Sequence, residues 1–257
     1  MRLVLIHGGF HGAWCWSRTI PELERLGHHA IAIDLPGHGA RRDERSTLAD
    51  RSEAIVSVLE PGDVLVGHSG GGYDITLAAD AAPELVSHLV FLAAGLPIEG
   101  RTVLEATGGA TSGPAGDGEV TQLMTDETGM AQFIQPNDSG RMACVDFDAV
   151  RKFFYHDCDE ETARWAFDQL TPAPVEFLVE TVSVPKFWAA NLPRSYVRCL
   201  QDRAKPHAMS DEVTERLGVV PLVIDSSHSP FLSKPRELAE LLVHATTTTA
   251  VGPLRPD

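Results

Sequence analysis

An α/β fold, a mostly parallel sheet flanked by helices, is what this chain of 257 residues predicts. Two observations carry the expectation. Short apolar runs suited to strands alternate with stretches of helical periodicity, the βαβ rhythm of a parallel sheet. One of those runs, Asp63-Val64-Leu65-Val66, passes directly into Gly67-His68-Ser69-Gly70-Gly71 and then into a helix that opens with small residues. A serine in G-x-S-x-G sits on a sharp turn that lifts its Oγ above the sheet. Side chains at Gly67 and Gly71 would clash where strand and helix approach.

The elements follow in order. Residues 2–6 are the first apolar run and end in His7-Gly8-Gly9-Phe10. Helical spacing over 17–26 is closed by Gly27. A strand over 29–34 leads into Leu35-Pro36-Gly37-His38-Gly39. A helix covers 47–59, with Ser46 or Thr47 as its N-cap. The serine strand and helix come next, then a strand over 88–94. Between about 96 and 193 the pattern breaks. No strand is expected there, and helices are expected near 149–157, 159–169 and 174–182. Residues 107–118, rich in glycine and turn formers, read equally as a mobile loop or a surface excursion. Strands over 195–200 and 220–224 and a helix over 234–245 complete the pattern.

Acyl transfer by a serine needs a base, an acid that orients the base, and N–H donors aimed at the developing oxyanion. Ser69 is the candidate nucleophile. A glycine-rich loop after the neighbouring strand supplies one N–H and the residue after the nucleophile supplies the other. That assigns the oxyanion hole to the amides of Gly9 and Gly70. The partners come in the chain order Ser, Asp or Glu, His. Asp202 follows Ser69 at the carboxyl end of a strand. The other place for the acid, after the strand at 88–94, holds no carboxylate until Glu99. His228 lies in Asp225-Ser226-Ser227-His228-Ser229-Pro230, beyond the last strand, where its ring can reach back to Ser69 while Asp202 holds its other nitrogen. Asp225 ranks second as orienter, because so local a pairing aims the ring poorly at a distant serine. Among 11 histidines, His228 stands out by its place in this order.

Four segments, His7-Gly8-Gly9-Phe10-His11-Gly12-Ala13-Trp14-Cys15-Trp16, Gly67-His68-Ser69-Gly70-Gly71, Leu200-Gln201-Asp202 and Ser227-His228-Ser229-Pro230-Phe231-Leu232, together resemble the α/β-hydrolases. Within them the chain is similar to the branch of plant methylesterases and hydroxynitrile lyases with their bacterial esterase relatives. The similarity covers essentially the whole chain outside a divergent middle. Its most specific part is the His-Gly-x-x-His-Gly-x-Trp-x-Trp block. The resemblance implies an α/β-hydrolase core over 1–95 and 194–257, with 96–193 as a mainly helical cap over the active site. Lyases of the branch carry Thr after the first His, an acidic residue before the nucleophile and Lys after the catalytic His. Here Gly8, His68 and Ser229 stand in those places. Gly8 cannot bind a cyanohydrin hydroxyl, and Ser229 cannot supply positive charge for a cyanide leaving group.

The implied activity is a serine carboxylesterase that hydrolyses a small to medium hydrophobic or aromatic ester through an acyl-enzyme. A hydroxynitrile lyase, a lactonase or amidase with the same triad, a slowly hydrolysing ligand receptor and cofactor-free biosynthetic chemistry stay open. Phe10, His68, Phe153, Trp165 and Ser229 are the substrate-binding candidates. Met124, Phe133, Phe154, Tyr155, Phe167, Phe177, Phe187 and Trp188 are further apolar side chains of the cap, most of them expected to pack it onto the core, as Trp14 and Trp16 do their own helix.

A net charge of -15 without a Lys/Arg cluster argues against nucleic acid and anionic membranes as partners. No apolar run approaches the roughly 18 residues of a membrane span. The strand and catalytic loop begin at residue 2, so no signal peptide is expected. Cys15, Cys144, Cys158 and Cys199 lack metal-ligand spacing and read as free thiols of a reducing cytoplasm. The run His156-Asp157-Cys158-Asp159-Glu160 cannot converge on one ion from consecutive positions. No metal or organic cofactor is expected, and the partner is a small-molecule ester. A homodimer is compatible with the sequence, but no residue argues for it.

Overall fold

A computed structural model describes residues 1–107, 133–205, 207–248 and 250–257. These form eight strands: β1 (Arg2–Ile6), β2 (His29–Ile33), β3 (Asp63–His68), β4 (Val86–Leu92), β5 (Ile134–Pro136), β6 (Met142–Cys144), β7 (Arg194–Cys199) and β8 (Leu222–Ile224). The described helices are α1 (Thr19–Arg25), α2 (Leu48–Val56), α3 (Gly71–Ala81), α4 (Val103–Ala106), α5 (Phe147–Phe154), α6 (Glu160–Gln169), α7 (Pro185–Ala190), α8 (His207–Leu217), α9 (Pro230–Ser233) and α10 (Pro235–Ala245). Six strands make one parallel sheet in the order β2-β1-β3-β4-β7-β8.

That order decides where the site lies. After β1 the chain steps outward to β2, then returns to place β3 on the other side of β1. The loops leaving β1 and β3 therefore part at a topological switch point, where a crevice opens at the carboxyl ends of the strands. Ile6 pairs with Ile33 on one side and Gly67 on the other, so His7-Gly8-Gly9 and His68-Ser69-Gly70 emerge side by side. β1, β3 and β4 read as continuous apolar runs because helices cover both faces of a parallel sheet. Leu3, Leu5, Val64, Val66, Val90 and Leu92 fill one face, and Val4, Ile6, Leu65, Leu89 and Phe91 the other. Each such side chain contributes about 1.5–3 kcal/mol by leaving water.

The helices start where local chemistry allows. Thr47 caps α2 through a capping box: its Oγ1 accepts from Asp50 N at 3.1 Å, and Asp50 Oδ2 accepts from Thr47 N at 2.9 Å. Gly27, at φ +82°, turns the chain out of α1. Arg51 of α2 makes a fully buried bidentate ion pair with Asp74 of α3, at 2.7 and 2.8 Å. The guanidinium also stacks on Phe177, 4.3 Å from the ring centre.

The segment between β4 and β7 departs from expectation. It contains a small antiparallel ribbon, β5 with β6, where no strand was expected. Three-residue strands carry too little alternation to register, although the turn formers Asn137-Asp138-Ser139-Gly140 between them are a hairpin signal. The helix expected near 174–182 is a single 3₁₀ turn, Glu176–Val179. α7 starts at Pro185, and its first amides at Lys186 and Phe187 donate to Asp80 Oδ1 of α3 at 2.7 and 2.9 Å. α8, in the second half of the core, was likewise not anticipated. Residues 108–118 of the glycine-rich stretch and Met124 lie outside the described residues. No described helix is long and apolar enough to cross a membrane.

Candidate active site

Ser69 sits between β3 and α3 at φ 53°, a left-handed conformation that costs a non-glycine residue about 1–3 kcal/mol. Neighbouring backbone holds it there: Ser69 N donates to Leu92 O at 3.1 Å, and Ser69 O accepts from Gly95 N at 3.0 Å. The tight turn needs glycine around it. A Cβ on Gly67 would lie 2.5 Å from Gly71 O, and one on Gly71 would lie 2.8 Å from His7 O. Phe10, at φ 66°, is the second strained residue, on the loop that faces Ser69. Backbone strain in both loops of one crevice marks a functional site more often than a folding accident.

The β1 loop approaches the serine closely. A Cβ on Gly8 would stand 2.8 Å from Ser69 Cβ, and one on Gly70 would stand 3.7 Å from Gly9 N. Among the described residues the amides of Gly9 and Gly70 have no hydrogen-bond partner. Gly70 is the N-cap of α3, where backbone N–H groups are left over by helix geometry.

His228 Nδ1 donates to Asp202 Oδ2 at 2.7 Å, and both side chains are buried. Asp202 Oδ1 accepts two more bonds, from Ala204 N at 2.8 Å and Lys205 N at 2.9 Å. Burial raises the pKa of this carboxyl, but His228 and the two amides outweigh it and leave the group below its ordinary value. Asp225, the rival orienter, instead accepts from Gln201 Nε2 at 2.6 Å. Among the described residues the Ser69 hydroxyl makes no hydrogen bond, and in unliganded sites such bonds are often long.

Three further histidines surround the serine, and their partners define their tautomers. His7 Nε2 accepts from Leu35 N at 3.1 Å, so Nδ1 carries the proton and donates to Gly8 O at 2.8 Å. His11 Nδ1 donates to Gly9 O at 2.8 Å, so Nε2 accepts from Tyr155 Oη at 2.7 Å. His68 Nε2 donates to His228 O at 2.9 Å, leaving Nδ1 buried and without a partner. Burial holds all three neutral, with the pKa of His7 pulled down to about 4 and that of His11 to about 3. That of His68 is pushed well below its ordinary value, by burial first and then by His228 and His11.

The substrate-binding candidates separate. His68 is against His228, the two rings 4.6 Å apart. Ser229 is next to it, with a buried Oγ that has no partner. Phe10 is on the loop after β1 and buried, with its carbonyl accepting from Thr171 N at 2.9 Å. Phe153 packs on Phe133 at 5.2 Å, whereas Phe154 lies 5.7 Å from the His228 ring. Adjacent residues on a helix point about 100° apart. The Val150/Phe154 spacing, one turn of α5, was the signal for the inward ring. Trp165 is on α6. It meets Trp14 edge-on at 5.3 Å and borders a surface recess of about 430 Å³ with Ser17, Arg18, Asp159, Glu161 and Thr162, none of them a triad candidate. Sequence reasoning gave no role to His11 or Phe231 and counted Tyr155 only among the apolar side chains of 96–193; the rings of Tyr155, Phe231 and His68 all pack on His11. Among the described residues no group of His, Cys, Asp and Glu could hold a metal ion.

Fold and crevice together define a hydrolase built on a parallel sheet, and the sequence comparison agrees. Residues 3–241 match the model of the alpha/beta hydrolase family, and the chain belongs to that family. Several of its relatives are esterases by name and others are named synthases. Methylesterase 9 of Arabidopsis thaliana is 31% identical over 255 residues, covering 93% of this chain and 96% of the relative. Norfluorocurarine synthase 1 of a Strychnos species is 29% identical, covering 93% and 92%. The crystal structure of polyneuridine aldehyde esterase superposes with a TM-score of 0.76 at 26% identity, covering 95% of this chain and 98% of the other. This chain is accordingly an esterase-type member, a carboxylic ester hydrolase.

Proposed function

We propose that the protein is a serine carboxylesterase with Ser69, His228 and Asp202 as its catalytic triad. The observation that carries the reading is the buried 2.7 Å pair of His228 Nδ1 and Asp202, in the same crevice as a serine on a strained turn. His228 Nε2 takes the proton of Ser69 as Oγ attacks the ester carbonyl carbon. The carbonyl electron pair moves onto oxygen, where the amides of Gly9 and Gly70 receive it. Asp202 stabilises the imidazolium, which then protonates the departing alcohol as the C–O bond breaks. A water deprotonated by His228 attacks the acyl-enzyme, and the carboxylic acid leaves as Ser69 recovers its proton.

The segment 96–193 serves as the cap of this site. Phe154, Tyr155 and Thr171 reach the catalytic loops from it. The aromatic surroundings favour a small to medium hydrophobic or aromatic ester, a reading that the methylesterase names support. His68 Nδ1 and Ser229 Oγ are the polar groups available to it. The four free cysteines fit a reducing compartment such as the cytoplasm.

The test is hydrolysis of p-nitrophenyl esters of increasing acyl length by wild type and Ser69→Ala. Turnover that vanishes with Ser69 while the fold persists is expected. Turnover retained by Ser69→Ala would sink the mechanism.

A further inference from the structure

Gly9 has no side chain to hold it. It is exposed, and a Cβ built there would meet nothing within 4 Å. What restrains it is the pair of peptide planes on either side. The carbonyl of the 8–9 peptide accepts from His7 Nδ1 at 2.8 Å. In a trans peptide C=O and N–H point opposite ways, so this bond aims the Gly9 N–H away from His7. The carbonyl of the 9–10 peptide accepts from His11 Nδ1 at 2.8 Å. His11 is held in turn by Tyr155, whose hydroxyl donates to Nε2 at 2.7 Å.

Tyr155 is not on a strand of the sheet. It follows α5 in the segment between β4 and β7 and is fully buried. Its turn is tied to the loop that carries His228. Ser227 Oγ donates to Phe154 O at 2.9 Å, and Ser227 N and Ser233 Oγ each donate to Asp157 Oδ2 at 2.8 Å. One turn, 154–157, thus reaches both the β1 loop and the histidine loop.

We propose that Tyr155 is a positioning residue of the oxyanion hole: acting through His11 on the Gly9–Phe10 peptide, it makes the seating of the cap a determinant of kcat and not only of which ester is admitted. The inference rests on the esterase reading above. Without the hydroxyl, His11 Nε2 becomes a buried acceptor with nothing to accept, and the ring is released to turn. Gly9 O then loses its donor, and the amide beside it loses its alignment.

The experiment takes Ser69-dependent turnover of p-nitrophenyl acetate as its baseline; absence of that dependence refutes the esterase reading itself. Against the baseline, Tyr155→Phe lowers kcat by about tenfold, short of the roughly 100-fold cost of deleting a donor outright. KM stays within about twofold, the pattern of an interaction made only in the transition state. The inhibition constant of a trifluoromethyl ketone, which forms a tetrahedral oxyanion on the serine, rises by the same factor. His11→Leu cuts the same link from its other end, since the side chain then has no group to donate to Gly9 O or to accept from Tyr155. It gives the same loss, and it decides the matter if Tyr155→Phe does not fold. A Tyr155→Phe enzyme that loses thermal stability but keeps kcat makes the contact merely structural. One that raises KM alone makes Tyr155 a substrate contact. Either result overturns the proposal.

Discussion

Replacing Gly8 and Gly9 one at a time by alanine should have opposite consequences, although the two residues are adjacent and chemically identical. A Cβ on Gly8 would stand 2.8 Å from Ser69 Cβ, with His68 Nδ1 and His68 O each at 3.1 Å. Carbon atoms in good contact lie about 3.5–4.0 Å apart, so the nucleophile or the loop must give way by roughly 1 Å. Ser69 cannot move cheaply, because its backbone is strained and bonded at both N and O. A misplacement of about 1 Å at a reacting group costs on the order of 100-fold in rate. The overpacking itself adds about 1–3 kcal/mol of destabilisation. A Cβ on Gly9 meets nothing within 4 Å, and its φ is outside the left-handed region. Gly9→Ala should therefore keep kcat/KM within about threefold, the scatter of a neutral substitution. It should also gain about 0.4–1 kcal/mol by restricting the unfolded chain. The assay is kcat/KM on p-nitrophenyl acetate, with the melting temperature of each variant as control. Equal activities for the two variants, in either direction, would refute the placement of the β1 loop against Ser69.

Asp202→Asn keeps the shape of the pair but favours the wrong imidazole tautomer, so kcat should fall about 10⁴-fold with the fold intact; a loss of less than tenfold in stopped-flow or steady-state assays would point to another acid. Arg51→Met leaves Asp74 buried without its partner and should cost about 3–5 kcal/mol in urea unfolding. A midpoint equal to wild type would remove that ion pair from the account of α2 and α3. Stability should also fall on acidification. His7 titrates near 6.5 when unfolded and at about 4 when folded, so the unfolded chain binds the proton first as pH drops through that window. The loss from His7 alone is about 3 kcal/mol, at about 1.4 kcal/mol per pH unit, and it is complete below the folded value. Urea midpoints that stay flat between pH 7 and pH 5 would contradict the buried neutral histidines.

The catalytic candidates were readable because their constraints are local. G-x-S-x-G after an apolar run dictates a strand, a left-handed turn and a helix within a few residues, and Ser69 at φ 53° stands on that turn. Asp202 and His228 were singled out by their place just beyond strand ends, and of the two N-cap candidates, Ser46 and Thr47, the structure seats Thr47 in a capping box. The choice of Asp202 over Asp225 rested on the same local geometry, and the ring of His228 turns to Asp202.

Other features depend on contacts between distant parts of the chain, and no window of sequence contains them. α7 begins where Asp80 of α3 caps it from more than 100 residues away in sequence. Phe153 and Phe154 are indistinguishable in composition, and packing against Phe133 or His228 decides between them. Residue order alone determined the parallel sheet, the serine turn and the succession of acid and base, because hydrophobic period and glycine geometry act over a few residues. Which histidines are buried connectors, and that a tyrosine from the segment between β4 and β7 hydrogen-bonds His11 on the loop facing Ser69, was decided only by tertiary structure. Burial and hydrogen-bond partners, which set both, are properties of the packed chain.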